Sequence, residues 1–149
     1  MSIQKKKKAL LVIIPLLILV IILVALPPKN PTSKNAVTKL YIRHQAQFEK
    51  AAETGDFSSL EKIRGVHDVS ESDPRNYEDT WYNISCGGKG FGPSTHYYGI
   101  FYSESDVEAK LNENYHPDGN GYRYKQPDGD NETYIEPLGN NYYYYEAHF

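Results

Sequence analysis

The sequence predicts an α+β fold: an N-terminal transmembrane helix, then one long amphipathic helix with a short one, packed on an antiparallel meander of about five strands. Three observations carry this. Ala9 to Leu26 is an unbroken apolar run. Apolar residues between Asn35 and Thr54 recur at spacings of three and four. After Thr80 the apolar period becomes two, with turn residues between the runs.

The chain has 149 residues and a formal net charge of -3, which suits one domain and an appendage. Residues 1–8 form a basic tail with Lys5, Lys6, Lys7 and Lys8. Residues 9–26 lack charged and polar side chains. About 18 residues at roughly 1.5 Å rise reach about 27 Å, close to a bilayer's hydrocarbon core. The span exceeds the apolar region of a signal peptide, and Val24-Ala25-Leu26-Pro27-Pro28 is a poor cleavage site. The reading is an uncleaved single-pass anchor in the cell membrane. The lysines keep the N-terminus cytoplasmic and the C-terminal domain lies outside. The bilayer is then one partner, through residues 9–26.

Residues 27–35 contain three prolines and no periodicity, and read as a linker. Residues 36–149 form the extracytoplasmic domain. Val37, Leu40, Tyr41, His44, Phe48, Ala51 and Ala52 make the helix stripe, capped by Ser33 or Asn35 and ended by Gly55. Asp56 caps a short helix, Phe57 to Arg64. The acidic stretch Val66 to Asp79 reads as a solvated connection. Strands are expected at Thr80–Cys86, His96–Ser103, Gly121–Gln126, Glu132–Leu138 and Tyr142–Phe149, with a short helical turn over Asp106–Glu113.

Four consecutive tyrosines, Tyr142 to Tyr145, occupy the last strand. Alternation divides them between two faces. Tyr143, Tyr145, Ala147 and Phe149 form the more apolar set, expected to meet the helix. Tyr142, Tyr144, Glu146 and His148 form the wetter set and are the candidate binding residues. Tyr122, Tyr124 and Tyr134 could extend that face. Tyrosine suits binding because a large rigid ring carries a polar end.

No pattern for catalysis, cofactor or metal is complete. In Gly87-Gly-Lys-Gly-Phe-Gly92 the lysine sits mid-loop and a strand follows, so it reads as a hairpin connection and not a phosphate loop. Asp128, Asp130 and Glu132 resemble the start of a calcium loop, but Thr133 and Gly139 stand where glycine and glutamate are required. The histidines are scattered, and the single cysteine, Cys86, lies on an apolar strand face. Cationic side chains concentrate before residue 67 and anionic ones after it, which argues against nucleic acid. The functional expectation is a non-enzymatic binding or accessory module of the cell envelope, with another envelope protein or a wall component as partner and no cofactor. An envelope hydrolase with a site near Glu146, His148 and the glycine-rich loop, or a self-associating structural anchor, are the alternatives.

Overall fold

The computed structural model describes residues 13–18, 28–72, 80–105, 107, 111 and 114–149. They form a mostly β structure: two short α-helices and a 3-10 helix on one side of a seven-stranded antiparallel sheet. This corrects the expected α+β fold in three respects.

The membrane-spanning helix is the first. Among the described residues no helix is long and apolar enough to cross a membrane. Within the expected span, residues 13–18 are helical, with Ile13, Ile14, Leu16, Leu17 and Ile18 exposed. The transmembrane, single-pass and cell-membrane assignments are corrected accordingly. The basic tail and the remainder of Ala9–Leu26 lie outside the described residues.

The long amphipathic helix is the second. It is two helices, α1 (Lys34–Arg43) and α2 (Gln45–Thr54), separated by His44. His44 leaves helical geometry at φ -113°, ψ 16°. Its carbonyl accepts from the amides of Gln47 at 2.8 Å and Phe48 at 3.2 Å, opening α2. Its ring Nδ1 lies 2.5 Å from Gln47 Oε1. The apolar stripe runs through the break because Tyr41 and Phe48 are seven residues apart, two helical turns. Periodicity therefore conceals the interruption. Ser33 caps α1 by accepting from the Ala36 amide, and Gly55 closes α2 at φ 71°. Asp56 then caps a 3-10 helix, Phe57–Lys62.

The sheet is the third. Its strands are β1 (Asp68–Glu71), β2 (Trp81–Lys89), β3 (His96–Ser103), β4 (Tyr115–Asp118), β5 (Gly121–Lys125), β6 (Glu132–Gly139) and β7 (Tyr142–His148). Their order is β1-β2-β3-β7-β6-β5-β4, so β7 pairs with both β3 and β6. A simple meander would have left β7 at an edge. Two strands beyond the expected five are the short edges. β1 falls in the acidic stretch read as a connection, and Val69 is its one apolar residue. β4 contains Pro117, which is tolerated on an edge because no outer neighbour needs its N–H. Residues 73–79 and most of the expected Asp106–Glu113 turn lie outside the described residues.

The helices cover one face of β2, β3 and β7, here the inner face. Val37, Leu40, Tyr41, Phe48 and Ala51 meet Ile84, Ile100, Tyr102, Tyr142 and Tyr144 in one core. The ring of Tyr142 stands edge-on to Phe48 at 5.3 Å, and its hydroxyl donates to the Phe48 carbonyl at 2.6 Å. Tyr41 donates to the Gly139 carbonyl at 3.1 Å. Tyrosine can fill this core because its polar ends reach backbone acceptors.

The segment expected as a free linker is docked. Pro31 is buried. The Asn30 side chain donates to the Gly88 carbonyl and accepts the Gly88 amide, both at 3.3 Å. It thereby substitutes for a neighbouring strand where β1 no longer pairs with β2. His67 Nε2 lies 2.9 Å from the Lys29 carbonyl.

Candidate functional site

The inner face has two halves. The helices cover the apolar half. The other half carries charge: Asp118, Arg123, Lys125, Glu132, Glu136 and Glu146 by register. On the opposite, outer face, the described residues of β2, β3, β5, β6 and β7 are all uncharged, among them Tyr97, Phe101, Tyr122, Tyr124, Tyr143 and Tyr145. The polar chemistry of the sheet is thus gathered where the helices stop.

A cleft of about 380 Å³ opens there, lined by Lys34, Asp118, Gly119, Asn120, Arg123, Tyr134 and Glu146. Three strands contribute one cross-strand row. Arg123 on β5 faces Tyr134 on β6, and Tyr134 faces Glu146 on β7. Lys34 begins α1, so the start of the helix forms one wall. The β4–β5 turn forms the other. Gly119 takes φ 62° there, a conformation that a side chain disfavours. This turn aims Asp118 back at Arg123, whose Nε donates to Asp118 Oδ2 at 2.6 Å.

Tyr134 is the floor. Lys34 Nζ lies 5.4 Å from its ring centroid and Arg123 Cζ 5.0 Å, both within cation–π range. Its hydroxyl donates to Glu136, as does the Lys34 ammonium. Burial pushes the Glu136 carboxyl up, but those two donors outweigh it and hold the group below the usual range. The Glu136 bond in turn raises Lys34. Hydrogen bonding to Asp118 raises Arg123.

Glu146 closes the row. Its Oε2 accepts the Tyr144 hydroxyl at 3.2 Å, and its Oε1 lies 3.6 Å from His96 Nδ1. His96 stacks on His148 at 4.5 Å between ring centroids.

The four sequence candidates therefore separate. Tyr142 and Tyr144 are 1% and 0% exposed and belong to the core beneath the helices. The parity is the reverse of expectation: Tyr143, Tyr145, Ala147 and Phe149 face the other way. Glu146 lines the cleft, and His148 stands behind it against His96. Glu146 and His148 made this face look wet, but the helices cover only the first half of β7. Tyr134 does extend the site, whereas Tyr122 and Tyr124 lie on the outer face. Lys34, Asp118, Asn120 and Arg123 were missed. A readable signal existed for three of them: Asp118-Gly-Asn-Gly121 is a hairpin turn, and Arg123 alternates with two tyrosines.

Among the described residues, no three His, Cys, Asp or Glu side chains are placed to hold a metal ion. The glycine-rich connection joins β2 to β3 as a hairpin and leaves Phe91 93% exposed. The Asp128–Asp130 turn joins β5 to β6.

Cys86 is buried, and burial pushes its thiol up to about 12. Burial likewise pushes Tyr145 up to about 12, and raises Tyr142 and Tyr144. Free thiols and phenols titrate near roughly 8.5 and 10. The folded state therefore keeps protons that the unfolded state has lost. Stability is full below about pH 8.5 and falls as pH rises toward 12. Urea midpoints should drop across this window, with the tyrosinate absorbance of the buried rings appearing together with unfolding. Midpoints unchanged through the window would contradict the burial of these groups.

No protein-family model, curated protein or solved structure matches the chain.

Proposed function

We propose that the chain is a binding module that receives a small polar ligand in the Tyr134 cleft and carries out no bond chemistry on it. The observation that carries this reading is the gathering of charged side chains of both signs around an open cleft, on rigid elements. Sites on strands and helix ends hold their groups more precisely than loops do. Pockets with a few convergent polar groups are the usual places for small ligands. Among the described residues the lining contains no serine, threonine or cysteine that could serve as nucleophile. The Cys86 thiol is buried, and burial keeps it protonated.

A thermal-shift screen of small polar compounds tests the reading. A true ligand at about a hundred times its Kd stabilises the native chain by about 2.7 kcal/mol. That stabilisation should fall sharply in Arg123→Ala and Asn120→Ala. Equal stabilisation in wild type and both variants would place the ligand elsewhere.

A further inference from the structure

Resting on that reading, we infer that the cleft takes a small zwitterion with separated charges, such as a short peptide with both termini free. Its carboxylate is received by Arg123 and its ammonium by Glu146.

The argument is an account of unused hydrogen-bonding capacity. Lys34 is charge-paired with Glu136, which also accepts the Tyr134 hydroxyl, so its charge is already compensated within the cleft. Arg123 is different. A guanidinium has five N–H donors in a planar fork. Only Nε is engaged, by Asp118, and among the described residues no hydrogen bond holds the two Nη groups. The side chain lines the cleft and remains 41% exposed. Two Nη groups match the two oxygens of a carboxylate.

Glu146 is the counterpart. Tyr144 occupies its Oε2, which fixes the carboxylate in place. Its Oε1 has His96 Nδ1 at 3.6 Å, too far for a hydrogen bond, and the side chain is 34% exposed. Tyr98 also hydrogen-bonds to this carboxylate, but two oxygens offer about four acceptor sites, so the exposed edge keeps capacity for an ammonium. A simple anion would meet Arg123 but be repelled by Glu146 and Asp118. A simple cation would meet Glu146 but be repelled by Arg123 and Lys34. A molecule carrying both charges uses both vacancies.

The separation follows from the sheet. Arg123 and Glu146 stand on β5 and β7 with Tyr134 between them. Two strand spacings place their backbones about 9–10 Å apart. An extended dipeptide spans at most about 7 Å. That length is of the same order as the separation of the two strands, so a short zwitterion matches the scale of the row across the Tyr134 ring.

The test is an amide and arginine-Nε NMR titration of the full chain with four probes. They are diglycine, N-acetyl-diglycine without the ammonium, diglycinamide without the carboxylate, and glucose. The expected result is saturable shifts at Gly119, Asn120, Gly121 and Arg123 with diglycine. Each blocked analogue should bind at least about tenfold more weakly, as loss of a charge-assisted hydrogen bond implies. Glu146→Gln should bind diglycine no better than wild type binds N-acetyl-diglycine. Comparing the analogues on wild type keeps the test independent of how any variant folds. Equal binding of diglycine and its blocked forms overturns the zwitterion inference, as does cleft binding of glucose without diglycine; the binding-module reading survives both. Absence of cleft shifts with every probe overturns the inference and speaks against the module as well.

Discussion

Tyr142→Ala should lower the unfolding free energy by about 3–5 kcal/mol, the loss typical of a large buried ring. The side chain is 1% exposed and touches Tyr41, Phe48 and Tyr102, with ring centroids 5.5, 5.3 and 4.9 Å away. Truncation leaves a cavity between α2 and the sheet, and close packing prevents its collapse. Tyr142→Phe separates the two contributions. It keeps the packing and loses only the bond to the Phe48 carbonyl, about 1 kcal/mol. Tyr97→Ala, at an exposed position of the outer face, should stay within about 0.5 kcal/mol. Urea midpoints measure all three. A Tyr142→Ala effect as small as that of Tyr97→Ala would mean that the helices do not cover β7.

Gly121→Ala should be the most disruptive single methyl in the sheet, costing about 3 kcal/mol, the upper end of overpacking. A Cβ built there lies 2.0 Å from the Ile135 carbonyl oxygen. That neighbour is backbone, so no rotamer change relieves the overlap. The start of β5 must move away from β6. Because this hairpin carries Asp118, Asn120 and Arg123, the same substitution should also abolish ligand stabilisation at the cleft. Gly129→Ala is the control. Its Cβ meets only the Gln126 side chain, at 2.6 Å, which can swing aside. Urea midpoints near wild type for Gly129→Ala and well below it for Gly121→Ala are the expected pair. Similar midpoints for both would show that β5 tolerates the displacement.

The parts of the fold that were legible in the sequence are those with a clear period. Alternation located β2, β3, β5, β6 and β7, and the helix stripe correctly selected Val37, Leu40, Tyr41, Phe48 and Ala51 for the core. Edge strands escaped because they need only one apolar contact or none. Asp68–Glu71 has Val69 alone, and Tyr115–Asp118 carries a proline. The helix break at His44 escaped because the stripe keeps its phase across it. The tyrosine faces were inverted because a strand's parity was judged from its polar second half. Tyr142 and Tyr144 lie under the helices while Glu146 and His148, on the same face, extend beyond them.

The cleft was not legible for a topological reason. Lys34 is about ninety residues or more from Arg123, Tyr134 and Glu146, which stand on three consecutive strands. Arg123, Tyr134 and Glu146 meet through the consecutive β5–β6 and β6–β7 pairs, but Lys34 joins them only because the start of α1 lies over this part of the sheet. Local periodicity contains no information about where the helix start docks on the sheet. The charge pattern did hold part of the answer. Arg123 and Lys125 alternate with tyrosines, as do Glu132 and Glu136 with apolar residues or threonine, so the charges of neighbouring strands share one face.

Hydroxyl-radical footprinting of the full chain, read residue by residue, tests the central claim most directly: the tyrosine run is core at Tyr142 and Tyr144, and the polar half of the same face is open. The account predicts rapid oxidation of Phe91, Tyr97 and Phe149, with Tyr142 and Tyr144 protected until global unfolding. Oxidation of Tyr142 and Tyr144 at the rate of Tyr97 would contradict it.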